Sequence, residues 1–193
     1  MENLIMFCGA VSLLLLSPGP NMAFVLAHSA AFGRGAGIAA AFGIGMADII
    51  LTLLTVAGFT ALIAAWPAAM LTIRYAGALY LFYMAWKALR ANETASGIAS
   101  ERSHNAVFYR AIVNNLLNPK ALLFFLVFIP QFVDPGQGSA TEQLLLLGLL
   151  LTVISTIFHA GLSLVGGAVR FGRQRYVLAA VLVILAISLL ISR

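Results

Sequence analysis

The chain has 193 residues, of which 62% are hydrophobic and only 9% are charged. Soluble domains carry about a quarter charged residues, so this composition excludes an ordinary soluble protein. The net charge of +5 comes from Lys and Arg residues scattered over several loops, without the compact basic patch of a nucleic-acid-binding protein, so no nucleic-acid partner is expected. The single cysteine, Cys8, excludes an intrachain disulfide.

Six apolar stretches are long enough to cross a bilayer, because a membrane-spanning helix needs about 20 apolar residues. The sequence therefore predicts an all-α membrane protein with six transmembrane helices. The predicted spans are residues 3–27, 36–60, 68–90, 111–133, 143–167 and 176–192. Glu2 stands where a secretory signal would carry basic residues, so we expect the first span to be retained.

The first span is interrupted by LSPGPN at Leu16–Asn21. Proline has no N–H, so Pro18 and Pro20 leave the carbonyl groups of Leu14 and Leu16 without their helical donors. Freed backbone at membrane depth is tolerated where it faces protein or a water-filled cavity. The sequence thus predicts a broken first helix, and the alternative is a simple proline kink. The residues of the predicted polar site are Ser17, Pro18, Gly19, Pro20 and Asn21.

In the second span, small and polar residues recur every three or four positions, which predicts one small and polar helix face. They are Gly37, Ala41, Gly45, Asp48, Thr52 and Thr55. A carboxylate inside a membrane is costly and normally faces the helix bundle. Asp48 is therefore predicted to lie on an ion or substrate path, with a buried hydrogen-bonding role as the alternative.

Residues 92–105 form the only sustained polar stretch. We interpret residues 1–91 as a first three-helix repeat, 92–105 as a polar cytoplasmic linker and 106–193 as a second three-helix repeat. With three spans in each half, the two repeats have inverted orientations. The positive-inside rule places both termini outside, since eight basic residues fall on one side of the predicted membrane. They are Arg34, Lys87, Arg90, Arg102, Arg110, Arg170, Arg173 and Arg175.

The fourth span is interrupted at Asn118-Pro119-Lys120, which matches the interruption of the first span. Asn118 is suited to cap a helix that begins at Pro119. Lys120 adds a full charge inside the membrane, and Pro119 frees the carbonyl group of Asn115. Asn115, Asn118, Pro119 and Lys120 are therefore predicted to complete the polar site.

The fifth span repeats the small and polar pattern of the second, with Thr152, Ser155, Thr156, His159 and Ser163 on one face. His159 fits two interpretations equally well, a proton relay and a plain hydrogen-bonding role. The sixth span carries almost no polar residue, so we expect it to pack against lipid.

Four segments resemble the lysine-exporter (LysE/RhtB) family, in particular its homoserine/threonine-exporter branch. They are LSPGPN at Leu16–Asn21, GIGMAD ending at Asp48, GALYLFYMAWKALR at Gly77–Arg90 and NLLNPKALLFFLVFIPQF at Asn115–Phe132. The resemblance covers essentially the whole chain. One departure lies in the fifth span, where the family carries an acidic residue and this chain offers Ser155 and His159.

The resemblance implies a multi-pass transporter of the bacterial cytoplasmic membrane that exports homoserine, threonine or other small neutral or basic amino acids. It also implies coupling to the proton gradient and a homodimer, and no cofactor or bound metal is expected. An amino acid is a zwitterion, so Lys120 and the helix ends at the two breaks would bind its carboxylate. Asp48 would accept from its ammonium group or carry the driving proton, and His159 is the second candidate for ion coupling.

Three other functions are weaker alternatives. A membrane hydrolase would need a nucleophile motif such as G-x-S-x-G or H-E-x-x-H, and neither occurs in this sequence. Export of another small solute or of a metal cation stays open within the same superfamily, although one cysteine and three histidines are poor ligands for soft cations. A purely structural membrane protein would tolerate loss of Asp48 and Lys120.

Overall fold

The computed structural model describes residues 2–16, 19–65 and 103–165, together with residues 75, 78–79, 82–83, 86, 90, 183 and 187. Every regular element in these ranges is helical, as the composition predicts. Most of the predicted third and sixth spans and nearly all of the predicted linker lie outside the described residues. Ser17 and Pro18 lie outside them as well.

The first span is a pair of helices, α1 (Glu2–Leu16) and α2 (Pro20–Phe32), whose axes differ by 53°. The break falls where the prolines predict it. Pro20 occupies the first turn of α2, where the N–H that proline lacks would have no helical partner. The sequence places the end of this span about five residues too early, because Gly33 and not His28 ends the helix.

A single residue, Gly33, joins α2 to α3 (Arg34–Ala65). Its φ of 86° lies in the region that favours glycine, which permits this sharp reversal. The part of α3 from Arg34 to Gly58 is straight and apolar enough to cross a membrane. It coincides closely with the predicted second span.

The fourth span is also a bent pair. Helix α4 (His104–Leu116) meets α5 (Pro119–Leu123) at an angle of 54°, and α5 continues as a π-helical turn over Phe124–Phe128 and a 3₁₀ turn over Ile129–Phe132. Asn118 caps α5 as predicted, because its side-chain oxygen accepts a hydrogen bond from the backbone N–H of Lys120. Helix α4 begins earlier than the predicted span, at the end of the predicted linker.

After a short 3₁₀ turn at Pro135–Gln137, the chain enters α6 (Ala140–Val165), a second straight helix that can span a membrane. The described residues therefore hold two straight candidate spans and two bent pairs, which makes up to four spans. The arrangement of six helices as inverted repeats remains a prediction.

Helix α3 lies at the centre of the described part and packs against α2, α4 and α6. Its small residues permit this close approach. A side chain on Gly45 would collide with Thr156, and one on Gly148 of α6 would collide with Thr52. The polar faces predicted for the second and fifth spans thus pack directly on each other, as expected for membrane helices with small residues at their interface.

Candidate functional site

The first break, which is the bend between α1 and α2 from Leu16 to Pro20, supplies a backbone acceptor for a hydrogen bond. Because residue 18 is a proline, the Leu14 carbonyl group has no donor from the next helical turn. It accepts instead from the side chain of Lys120, with 2.9 Å between Nζ and the carbonyl oxygen. Gly19 lies beside this contact, and a Cβ atom placed there would be 3.3 Å from Cδ of Lys120. The predicted freed carbonyl group therefore exists and is bound by a residue of the second break.

The second break, which is the bend between α4 and α5 from Leu116 to Pro119, and the end of α4 before it supply most of the hydrogen-bond donors to the first break. Asn114 and Asn118 both donate from Nδ2 to Oδ1 of Asn21, at 3.1 Å each. Asn21 in turn donates to Oδ1 of Asn115 at 2.7 Å. The amide oxygens of Asn21 and Asn118 thus both accept hydrogen bonds from the protein. These contacts connect the two breaks directly.

Asp48 lies next to this network and is almost fully buried. Its Oδ1 atom accepts from Nδ2 of Asn115 at 2.7 Å. Its Oδ2 atom, equally buried, has no hydrogen-bond partner among the described residues. Ser155 of α6 adds a hydroxyl group beside the same carboxylate. Among the described residues, Asp48 is thus held through Oδ1, and its Oδ2 atom is buried without a hydrogen-bond donor.

His159 lies one helical turn from Ser155 and is buried. Its Nδ1 atom is 2.8 Å from the Ser155 carbonyl oxygen and 3.3 Å from the Ser155 hydroxyl oxygen. A carbonyl oxygen can only accept, so Nδ1 carries a hydrogen and Nε2 is the atom that can take up a further proton. Asp48, Ser155 and His159 therefore form a continuous row of polar side chains.

These groups surround one cavity, which leaves about 50 Å³ for the centres of water molecules. That volume exceeds what a single buried water needs by several fold. The lining combines polar side chains with a set of apolar ones, the apolar wall. The polar lining consists of Asn21, Asp48, Asn115, Asn118, Lys120, Ser155 and His159, and the apolar lining includes Val11, Met22, Phe124, Phe125 and Leu151.

Most of the residues predicted for the site come together here. Seven of them line the cavity, namely Gly19, Asn21, Asp48, Asn115, Asn118, Lys120 and His159. Pro20 and Pro119 begin α2 and α5 and are not among the lining residues. Ser17 and Pro18 lie outside the described residues, so their placement stays a prediction.

Neither the apolar wall nor the contribution of Asn114 was predicted from the sequence. The wall residues come from four helical segments and share no sequence pattern, so no sequence signal would have identified them. For Asn114 a sequence signal did exist, because the adjacent pair Asn114 and Asn115 places two amides in an apolar segment, where they need buried hydrogen-bond partners. His28 of α2 is buried as well, with its Nδ1 atom donating to the Phe24 carbonyl group, and it does not line the cavity.

A comparison with known protein families matches residues 12–193 to the family described as LysE type translocator. The chain belongs to this family. It is therefore a membrane translocator and not an enzyme.

Individual relatives agree with this assignment. The chain is 38% identical to an uncharacterised membrane protein of Pseudomonas aeruginosa over 165 residues, which cover 82% of the chain and 76% of the relative. It is 37% identical to the leucine efflux protein of Salmonella typhimurium over 164 residues, covering 83% of the chain and 77% of the relative. The leucine efflux protein of Klebsiella pneumoniae is also 37% identical, over 89% of the chain and 82% of the relative. No solved structure matches the chain.

Proposed function

We propose that this protein exports amino acids across the bacterial cytoplasmic membrane, with a preference for neutral amino acids that carry an aliphatic side chain. Family membership supports transport, and two relatives named leucine efflux protein support an amino acid as the cargo. Within the range of amino acids that the sequence suggests, these relatives favour leucine-like substrates over homoserine and threonine.

The observation that carries the proposal is the unpartnered Oδ2 atom of Asp48 beside the cavity. A buried carboxylate oxygen needs a donor, because leaving it without a hydrogen bond costs about 1–3 kcal/mol or more. The ammonium group of an amino acid supplies that donor. Lys120 lines the same cavity and offers its positive charge to the substrate carboxylate.

The apolar wall of the cavity accounts for the proposed preference for aliphatic side chains. Phe124 and Phe125 line it where the π-helical turn of the second break begins. Val11, Met22 and Leu151 complete the apolar surface. An aliphatic side chain buries apolar area against these residues at about 25 cal/mol per Å², whereas a charged side chain would lose its hydration there. The charge of Lys120 also disfavours export of a metal cation.

We assign proton coupling to Asp48 and His159, with the Ser155 hydroxyl group between them. The row of polar side chains gives a proton a path of hydrogen-bonding groups from the ring of His159 to the carboxylate that would bind the substrate. Binding of a proton to Asp48 would weaken its hold on the ammonium group. Proton entry on one side of the membrane would then promote substrate release.

Efflux measurements test this proposal. Cells that overproduce the protein are loaded with labelled leucine, isoleucine, threonine, homoserine or lysine, and efflux is followed with and without a protonophore. We expect rapid, protonophore-sensitive efflux of leucine and isoleucine, and efflux about 10- to 100-fold slower in the Asp48→Asn variant. Equal rates for all five amino acids would contradict the proposed preference, and absent efflux of all five would overturn the function.

A further inference from the structure

The contact between Lys120 and the Leu14 carbonyl group resembles the contact that a substrate ammonium group would make. An amino group donates to a backbone carbonyl oxygen at 2.9 Å, on the lining of the cavity. The acceptor is available only because Pro18 cannot donate to it. Gly19 leaves room for the lysine side chain, since a Cβ atom there would be 3.4 Å from Nζ.

The ammonium group of an amino acid has the same donor chemistry as Nζ of Lys120. Both can donate to the Leu14 carbonyl group. Two cations cannot share one small acceptor site at low cost, because like charges in a poorly hydrated cavity repel strongly. A substrate whose ammonium group binds to the Leu14 carbonyl group must therefore displace Lys120.

We propose that Lys120 is a specificity-determining residue that occupies the ammonium position at Leu14 until substrate binds and then pairs with the substrate carboxylate. This inference rests on the proposed function. An amino acid displaces the lysine and at the same time offers it a new partner. An amine without a carboxylate takes the Leu14 carbonyl group from the lysine and offers it no new partner in exchange, which is costly for a buried charge. The exchange thus favours the binding of amino acids over that of amines with the same side chain.

Binding to the purified full-length protein in lipid nanodiscs tests this exchange. The two ligands are leucine and 3-methylbutylamine, which is leucine without its carboxyl group. We expect the wild type to bind leucine at least about tenfold more tightly, because a hydrogen bond to a charged group contributes about 1.5–3 kcal/mol. In Lys120→Met, leucine binding weakens and amine binding strengthens, since the Leu14 carbonyl group then has no competing lysine.

A second variant keeps the lysine and its charge. In Gly19→Ala the added methyl group presses on the Lys120 side chain, so we expect the preference for leucine over the amine to fall about two- to fivefold. Gly161→Ala is the matched control, because nothing lies within 4 Å of a Cβ atom at that position, and its preference should equal that of the wild type. The exchange is overturned if neither Lys120→Met nor Gly19→Ala changes the preference, or if the wild type binds both ligands equally. Failure of the proposed function would appear separately, as absent efflux of every amino acid.

Discussion

The two breaks bend the chain by almost the same angle and use different chemistry. The first has prolines around a glycine, and Gly19 makes no side-chain cap at the start of α2. The second has one proline and an asparagine that caps α5. Bends of 53° and 54° thus arise from different local sequences. A proline at the first turn of the second helix is the feature that they share.

Their polar groups are complementary. The first break offers acceptors, the Leu14 carbonyl group and Oδ1 of Asn21. The second break offers the donors to them, which are the side chains of Asn114, Asn118 and Lys120. Asn21 also donates to Oδ1 of Asn115, so the amides of the two breaks satisfy one another in both directions. The two breaks are thus joined by hydrogen bonds although their local sequences differ.

The largest expected effect concerns the orientation of the two halves in the membrane, because a loop is accessible to an impermeant reagent from one side only. With Cys8 replaced, we expect a cysteine at Ser100 to react with an impermeant reagent only from the cytoplasm, and a cysteine at Gln137 only from outside. Site-directed labelling of intact cells and of inverted vesicles measures this. Labelling of both positions from the same side would break the proposed inverted relation between the halves.

Removing the charge of Asp48 or of Lys120 has the next largest expected effect. We expect Asp48→Asn and Lys120→Met each to reduce efflux about 10- to 100-fold, since each removes a charged hydrogen-bond partner of the substrate. The double variant should fold and remain inactive, because both substrate contacts are then missing. Proton-driven efflux from vesicles measures it. Near wild-type flux in the double variant would show that neither residue binds the substrate.

How far the sequence predicts this site depends on the kind of signal. Proline chemistry is local, so the breaks near Pro20 and Pro119 and the cap at Asn118 could be predicted. Polar residues in an apolar chain are rare and must face inward, so Asp48 and His159 could be assigned to the interior. Both inferences use only the residue and its immediate neighbours.

Partner choice could not be predicted, because it depends on how helices pack. The sequence places Asp48 and Lys120 inside the membrane without assigning their partners, and the structure connects Asp48 to Asn115 and Lys120 to the Leu14 carbonyl group. The apolar wall that includes Phe124 and Phe125 was also missed, since those residues look like any other membrane residue in the sequence.

Substitution of the prolines tests whether the two breaks depend on proline to the same extent. We expect Pro20→Ala to reduce efflux up to about tenfold, because a restored backbone hydrogen bond stabilises a straight helix by about 0.5–1.5 kcal/mol. Pro119→Ala should have a smaller effect, since Asn118 still caps α5 and keeps the break. The control is Asn118→Ala combined with Pro119→Ala, which should approach the effect of Pro20→Ala. Equal effects of the two single substitutions would contradict this difference.

The smallest expected effect concerns the amides that join the breaks. Asn114→Ala removes one hydrogen bond to Asn21, so we expect the free energy of unfolding to fall by about 0.5–1.5 kcal/mol. Asn21→Ala removes three hydrogen bonds and leaves several buried amides without partners, so its loss should be two- to threefold larger, about 1.5–4 kcal/mol. Thermal unfolding in one detergent compares the variants. If Asn21→Ala cost no more than Asn114→Ala, Asn21 would not be the residue that holds the acceptor side and the donor side together.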